Sequence, residues 1–515
     1  MTSRLDTPTR PASRRSRSPW PWITLTLLGL GALGCNQAPK YTRPTLPAPA
    51  PAPAGYKENQ PGSDLAQAHG WKQAAPGDAM LRGKWWEVFG DAQLNALEER
   101  LVIGNQNLKQ YFANYMAARA LVRNARASFF PTVSLSPSAS AAGYGASGTG
   151  VSGRSYELPL SATWEPDLFG KVSNAVSADA SAAQVSAADL ANETLSEQAS
   201  LAQYYFQLRG QDALQQLYQR ETASYTEALR LTRVLSRTGI DSDLDVAEAE
   251  SNLRTAEANA TAIGTTRAQY EHAIAVLVGE VAGSFSLPAQ PLTATPPAIP
   301  TGLPSQLLER RPDIAAAERT VAEANALIGV AKAAYYPTLS LTASAGTESS
   351  SLSNLLSYGA RFWSLGASAT ETLLDFGANK ASVQRYQAQY DADAASYRQT
   401  VLSAFKEVED DLVASRQLAE QEARQQLAVQ AALHYQTLAQ VRYRTGLDSY
   451  LTVITAENTA LTSQQTLVTL QTSRMTTAVQ LITALGGGWD AAELPSQRDV
   501  ARKPQAVRDP GTPTN

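Results

Sequence analysis

Ala125-Arg126-Ala127-Ser128-Phe129-Phe130-Pro131-Thr132-Val133-Ser134-Leu135-Ser136 returns later in the chain as Ala331-Lys332-Ala333-Ala334-Tyr335-Tyr336-Pro337-Thr338-Leu339-Ser340-Leu341-Thr342. After each proline, Val or Leu alternates with Ser or Thr, the period of a strand with one apolar and one polar face. Two further landmarks recur: Asp167-Leu168-Phe169-Gly170 as Leu374-Asp375-Phe376-Gly377, and Arg237-Thr238-Gly239-Ile240-Asp241-Ser242 as Arg444-Thr445-Gly446-Leu447-Asp448-Ser449. The shift is 206 residues from Ala125 to Ala331 and 207 from Phe169 to Phe376 and from Gly239 to Gly446. Constancy over three separated landmarks identifies a duplicated domain.

Each copy reads helix, two strands, a very long helix, a tight break and a helix. The first copy occupies 91–287, with strands expected at about 131–143 and 155–168 and a helical tip near Gly239. A proline-rich linker, 288–304, leads to the second copy at 305–486, with strands at about 337–347 and 361–375 and a tip near Gly446. Between Gly377 and Arg444 there is no proline and no further glycine. Val383, Tyr386, Tyr390, Ala394, Tyr397, Val401, Phe405, Val408 and Leu412 recur there every three or four residues, one apolar face of a straight helix. At 1.5 Å per residue such a helix reaches roughly 100 Å, which suits a tunnel wall better than a compact domain.

The ends carry other signals. Arg4, Arg10, Arg14, Arg15 and Arg17 precede an apolar run, Trp20 to Leu33, too short to span a membrane as a helix. Residues 1–34 are therefore expected to be a signal peptide. Ala32-Leu33-Gly34-Cys35 resembles a lipobox, although Ala32 stands where Leu is usual, and Cys35 is the only cysteine, so no internal disulfide can form. Cys35 is the expected lipidation site, and Asn36 after it points to the outer membrane. Residues 35–90, rich in Pro and Ala from Pro39, are expected to be a tether and entry segment, and 487–515 a loose tail.

The chain has 515 residues, 43% of them hydrophobic and 17% charged, with a net charge of -4, so no nucleic-acid partner is implied. Helix surfaces so poor in charge suit contact with other helices. Gly143 to Gly148 fits a GxGxxG pattern but lies between strands and opens no helix, which argues against a dinucleotide site. His69, His272 and His434 lack metal-ligand spacing, and no nucleophile motif is present, so no catalytic residue, metal or cofactor is expected.

Four amphipathic strands cannot close a barrel, which takes about eight. Open edges are not tolerated in lipid, where unpaired N–H and C=O groups find no water. Self-association follows: two copies would close eight strands, three would close twelve, and the strand count alone does not choose.

These residues resemble the TolC-like outer membrane factors, specifically the lipidated NodT-type branch serving resistance-nodulation-division efflux pumps. The resemblance spans the tether, Lys84-Trp85-Trp86-Glu87-Val88-Phe89-Gly90-Asp91, both aromatic-proline strand openings, Leu308-Glu309-Arg310-Arg311-Pro312-Asp313-Ile314 and both Arg-Thr-Gly tips. It implies an α plus transmembrane β fold: a homotrimer whose twelve-stranded β-barrel continues into a long periplasmic α-helical barrel. It also implies a periplasmic adaptor and an inner membrane pump as partners, with outer membrane lipids around the barrel. The duct of a type I protein secretion system shares this architecture, and a non-conducting periplasmic strut is the reading from another class.

By the same resemblance the hairpin tips meet the adaptor: Arg237, Thr238, Gly239, Ile240 and Asp241, with Arg444, Thr445, Gly446, Leu447 and Asp448. The family's periplasmic aperture is commonly ringed by aspartates beyond the second tip, where this chain has Thr452 and Thr455. Arg442, Tyr443, Asp448 and Tyr450 join them as gate candidates. Trp164, Phe362 and Trp363 flank the strands as candidates for an aromatic girdle at the membrane interface.

Overall fold

The computed structural model describes residues 36–45, 83–143, 153–239, 242–299 and 307–502; Cys35, Ile240, Asp241 and the loop 144–152 lie outside them. The elements are α1 (Ala92–Gly104), α2 (Gln106–Ala127), β1 (Thr132–Leu135), β2 (Ser138–Ala142), β3 (Gly153–Trp164), α3 (Lys171–Arg237) and α4 (Asp243–Leu277). After the linker come α5 (Pro312–Ala333), β4 (Thr338–Ser349), β5 (Arg361–Thr370), α6 (Ala378–Arg444), α7 (Tyr450–Ala484) and the short α8 (Gln497–Ala501). The copies match in length: α2 and α5 have 22 residues each, α3 and α6 have 67, α4 and α7 have 35. Duplication is thus written into the helices as well as the motifs.

The chain divides into two units. One, Met1–Lys40 with Ala125–Val176 and Asn325–Tyr386, holds the sheet. Its order is β1-β3-β4-β5, all antiparallel, with β2 also on β3. The expected first strand is corrected here: it is split, because Pro137 has no N–H for a ladder, although Ser136 N–H still donates to Pro159 O at 3.1 Å. The repeated Asp of the Phe-Gly motifs starts the long helices. Asp167 accepts from the backbone N–H groups of Val172 and Ser173, and Asp375 from those of Gly377 and Asn379.

The other unit, Tyr41–Asn124, Ser177–Ala324 and Gln387–Asn515, is helical. Ala394, Tyr397, Val401, Val408 and Leu412 of the expected α6 stripe are buried there against Ile314, Val321 and Leu481. The entry segment is core: Trp85 and Phe89 pack with Tyr205, Phe206 and Ile274, and Trp85 Nε1 donates to Gln198 at 3.2 Å. Asp91 caps α1 and accepts from Tyr205 Oη at 2.6 Å.

Two terminal expectations need correction. The described part of the tether is docked, not free: in the sheet unit Asn325 Nδ2 donates to Pro39 O, and in the helical unit Arg43 donates to Tyr397 Oη and Arg398 to Thr45 O. An extended segment carries unpaired backbone groups and is held wherever side chains satisfy them. The tail is not loose through Arg502 either: Val500 is fully buried against Val122, Ala180 and Ala183, and α8 begins with a capping box of Ser496 and Asp499.

Candidate functional site: sheet faces and hairpin tips

The strand register sorts the sheet unit into two chemistries, because residues directly opposite share a face. One face carries Val133 with Ala162, Ala343 and Leu365, then Leu135 with Leu160, Ala345 and Trp363, then Trp164 with Leu341 and Ala367. The opposite face carries Ser134, Ser161, Ser344 and Ser364, with Thr163 and Thr342. The apolar face is uncovered: Trp363 and Leu365 are each 76% exposed. Neither β5 nor β1 has a partner strand on its outer side among the described residues. A soluble protein does not leave so contiguous an apolar surface to water. Trp164 and Trp363 lie on it, whereas Phe362 pairs with Gly346 on the Ser/Thr face. Phe362 is therefore removed from the girdle candidates, since neighbours along a strand point to opposite sides.

In the helical unit both tips turn on a left-handed glycine, Gly239 at φ 76° and Gly446 at φ 73°. At the first tip Gly239 N–H donates to Ser236 O, and Ser242 caps α4 with Asp245 reciprocally. At the second, Gly446 N–H donates to Tyr443 O and Leu447 N–H to Arg442 O, a Schellman closure. Side chains of Arg237, Thr238, Arg444 and Thr445 stand exposed around these turns, and Leu447 is 69% exposed.

The gate candidates separate. Arg442 grips Asp448 through both guanidinium branches, Nε to Oδ2 at 2.5 Å and Nη2 to Oδ1 at 3.3 Å, so the pair closes within one tip. It raises the Arg442 pKa and holds Asp448 below the usual carboxylate range. Tyr443 and Tyr450 are buried, their ring centroids 5.6 Å apart, in a cluster with Tyr225, Leu229, Leu253 and Val453 that packs the two tips together. Thr455 is exposed and donates back to Leu451 O, and Thr452 is half-buried.

Sequence reading missed the acids beside that cluster. Glu221 on α3 and Glu457 on α7 are buried; Glu457 accepts from Gln440 Nε2 at 2.9 Å and helps line a cavity of about 370 Å³ with Ser224, Tyr443 and Tyr450. In sequence both look like ordinary helix-surface glutamates. Burial, reinforced by the charge of Glu457, pushes the Glu221 carboxyl from 4.5 up to about 7. A folded-state pKa above the unfolded one means stability present below pH 4.5 and lost as pH rises through about 7. Hydrogen-exchange protection of the adjoining turns of α3 and α7 should therefore fall between pH 5 and pH 8, by on the order of 2 kcal/mol. Glu221→Gln should flatten that dependence; an unchanged pH profile in the variant would refute the assignment.

The family model of the outer membrane efflux proteins matches residues 98–280 and again 303–487, once on each copy. The chain belongs to that family. This outer membrane efflux protein is 34% identical over 480 residues to the probable efflux pump outer membrane protein TtgC of Pseudomonas putida, covering 91% of this chain and 94% of the relative. It is 32% identical over 484 residues to the solvent efflux pump outer membrane protein SrpC of Pseudomonas putida, covering 92% and 98%. Among solved structures it resembles the outer-membrane channel OprN, with a TM-score of 0.78 at 29% identity over 88% of this chain and 100% of that one. Among its described residues no group of three or more His, Cys, Asp or Glu side chains is placed to hold a metal.

Proposed function

We propose that this outer membrane efflux protein closes as a homotrimer into a twelve-stranded barrel and serves as the passive exit duct of a tripartite pump. The observation that carries this is the four-position sheet with one lipid-compatible face, one hydroxyl-lined face and two edges unpaired among the described residues. Three copies pair every edge and turn the Ser/Thr faces inward, giving a wetted lumen wide enough for small molecules. The relatives named as efflux pump components, one of them a solvent efflux pump, favour small molecules as cargo over the secreted proteins of a type I system. A periplasmic adaptor and a resistance-nodulation-division pump in the inner membrane would supply contact and energy. Cys35, acylated, would add a lipid anchor, and Trp164 and Trp363 would sit at the membrane interface.

Reconstitution into planar bilayers tests the duct: discrete conductance steps from a purified trimer are expected, and a monomer without conductance overturns the reading. The tips are assigned to the adaptor and the Arg442–Asp448 pair to the periplasmic constriction, with Tyr443 and Tyr450 as its packed backing and Thr452 and Thr455 in place of an acid ring. Asp448→Ala frees Arg442 from its clamp and should raise channel conductance and shift selectivity away from cations. Unaltered current and ion preference in that variant would take Asp448 out of the gate.

A further inference from the structure

Only four residues in the five strands are charged: Arg154 and Glu157 in β3, Glu348 in β4 and Arg361 in β5. The register separates them by sign. Arg154 faces Ala141 and lies two places from Tyr156, and Arg361 faces Thr347, which faces Leu158, so both arginines stand on the apolar face. Glu157 faces Glu348 on the Ser/Thr face, where Ser155 Oγ donates to Glu157 at 3.2 Å. The acids are turned away from the arginines, and neither guanidinium has a carboxylate partner among the described residues.

Both arginines also lie at one end of the strands. β3 runs on into α3 beyond Trp164 and β5 into α6 beyond Thr370, so the helices leave from the opposite end. Ten residues separate Arg154 from Trp164 and nine separate Arg361 from Thr370, which at about 3.4 Å per residue is roughly 30–34 Å of strand. Strands tilted by about 35–45° would rise about 22–28 Å over that length, the height of the ~25 Å apolar band of an outer membrane barrel. With the helices in the periplasm, the arginines emerge at the headgroups of the outer leaflet. A cation is costly at the midplane of a bilayer and nearly free of cost at its edge. Arg361 is already backed by a ring: its guanidinium carbon lies 4.8 Å from the centroid of Tyr358. Tyr358 is 83% exposed, in the short loop after β4 that also exposes Leu352 and Leu356. A cation on an aromatic ring among apolar side chains suits a headgroup layer better than open water.

We propose that Arg154 and Arg361 bind the phosphate groups of the acylated, phosphorylated glycolipid of the outer leaflet. This rests on the barrel reading above and adds to it the lipid and the residues that select it. A guanidinium fork matches phosphate with two parallel N–H donations. In the register Arg154 stands level with residue 351 of the neighbouring segment and Arg361 with Thr347, two strands over from β3. Four residues along and two strands across place their backbones about 17 Å apart. That is too far for one phosphate and within reach of two carried by one broad headgroup, whereas a phospholipid with a single phosphate would meet only one arginine.

Native mass spectrometry of the full-length protein, purified in mild detergent and loaded with diphosphoryl lipid A, counts the lipid retained. The unmodified protein should hold lipid A and release it as salt is raised. Arg154→Gln with Arg361→Gln should weaken retention about tenfold or more. Arg154→Lys with Arg361→Lys keeps the charge without the planar fork and should fall between the two, which also reads the site should the glutamine pair fail to assemble. Monophosphoryl lipid A should bind the unmodified protein more weakly than the diphosphoryl form. Equal retention by the unmodified protein and the substituted ones, or retention of phosphatidylglycerol as strong as that of lipid A, overturns the proposal. Bilayer conductance keeps this apart from the duct itself. A normal current with lipid retention unmoved by the substitutions overturns the lipid site alone, and no current from the unmodified protein overturns the duct.

Discussion

Cells in which Gly239 and Gly446 are both replaced by leucine are expected to lose drug efflux while keeping normal amounts of trimer in the outer membrane. A Cβ at either glycine would meet nothing within 4 Å, so the fold requires only the backbone conformation there, not the empty space. The left-handed cost for a residue with a side chain is about 1–2 kcal/mol per site, borne by an exposed turn. If the empty space belongs to the adaptor's own helices, a leucine removes a close approach at the heart of that contact. Loss of ~2 kcal/mol at such a centre weakens the association about 30-fold. Asparagine separates the causes, since it tolerates the left-handed conformation but still fills the space. Efflux should fall with asparagine as well as leucine, and full drug tolerance in the leucine variant would remove the tips from docking.

Gly279→Ala and Gly486→Ala should be the most destabilising single substitutions in the helical unit. Both glycines end the last helix of their copy in the left-handed region, at φ 78° and 94°. Each presses on a backbone carbonyl: a Cβ at Gly279 would lie 2.3 Å from Gly104 O, and one at Gly486 2.0 Å from Arg310 O. Gly104 and Arg310 are themselves counterparts under the 206-residue shift, so one backbone crossing is built twice. A backbone carbonyl cannot swing aside as the far end of a flexible side chain can. Adding the conformational cost to overpacking gives about 2–5 kcal/mol per site. Thermal unfolding of the detergent-solubilised protein should show each variant lowered by similar amounts, and an alanine at either position that leaves the transition unmoved would contradict the crossing. Gly104→Ala, whose Cβ would sit 2.0 Å from Val278 O, should show the overpacking part of the first loss without its conformational part, since Gly104 is helical.

Much of the architecture was legible because its signals are periodic. Val133, Leu135, Leu339 and Leu341 declare a two-residue period, and Val401, Val408 and Leu412 a helical one; periodicity survives without knowledge of partners. Pro137 could have been read as the break in the first strand, since it has no ladder donor, but the alternation across it hides the interruption. The capping box of Ser496 and Asp499 was the available sign that the tail is packed, and Val500 its buried anchor. Glu221 and Glu457 carried no sign at all. Their burial comes from Tyr225, Tyr443 and Tyr450 arriving from separate helices.

By itself, the sequence determined the duplication, because its landmarks recur at a constant shift, and the amphipathic strands, the uninterrupted long helices and the glycine turns, because each depends on residues within a few positions of one another. Only the tertiary structure decided which face Phe362 takes, that the described tether and the start of the tail are held, and that Arg442 binds Asp448. Those outcomes depend on register and on contacts between residues far apart in the chain, and pairing across such distances is chosen by how all the elements pack together rather than by any one stretch.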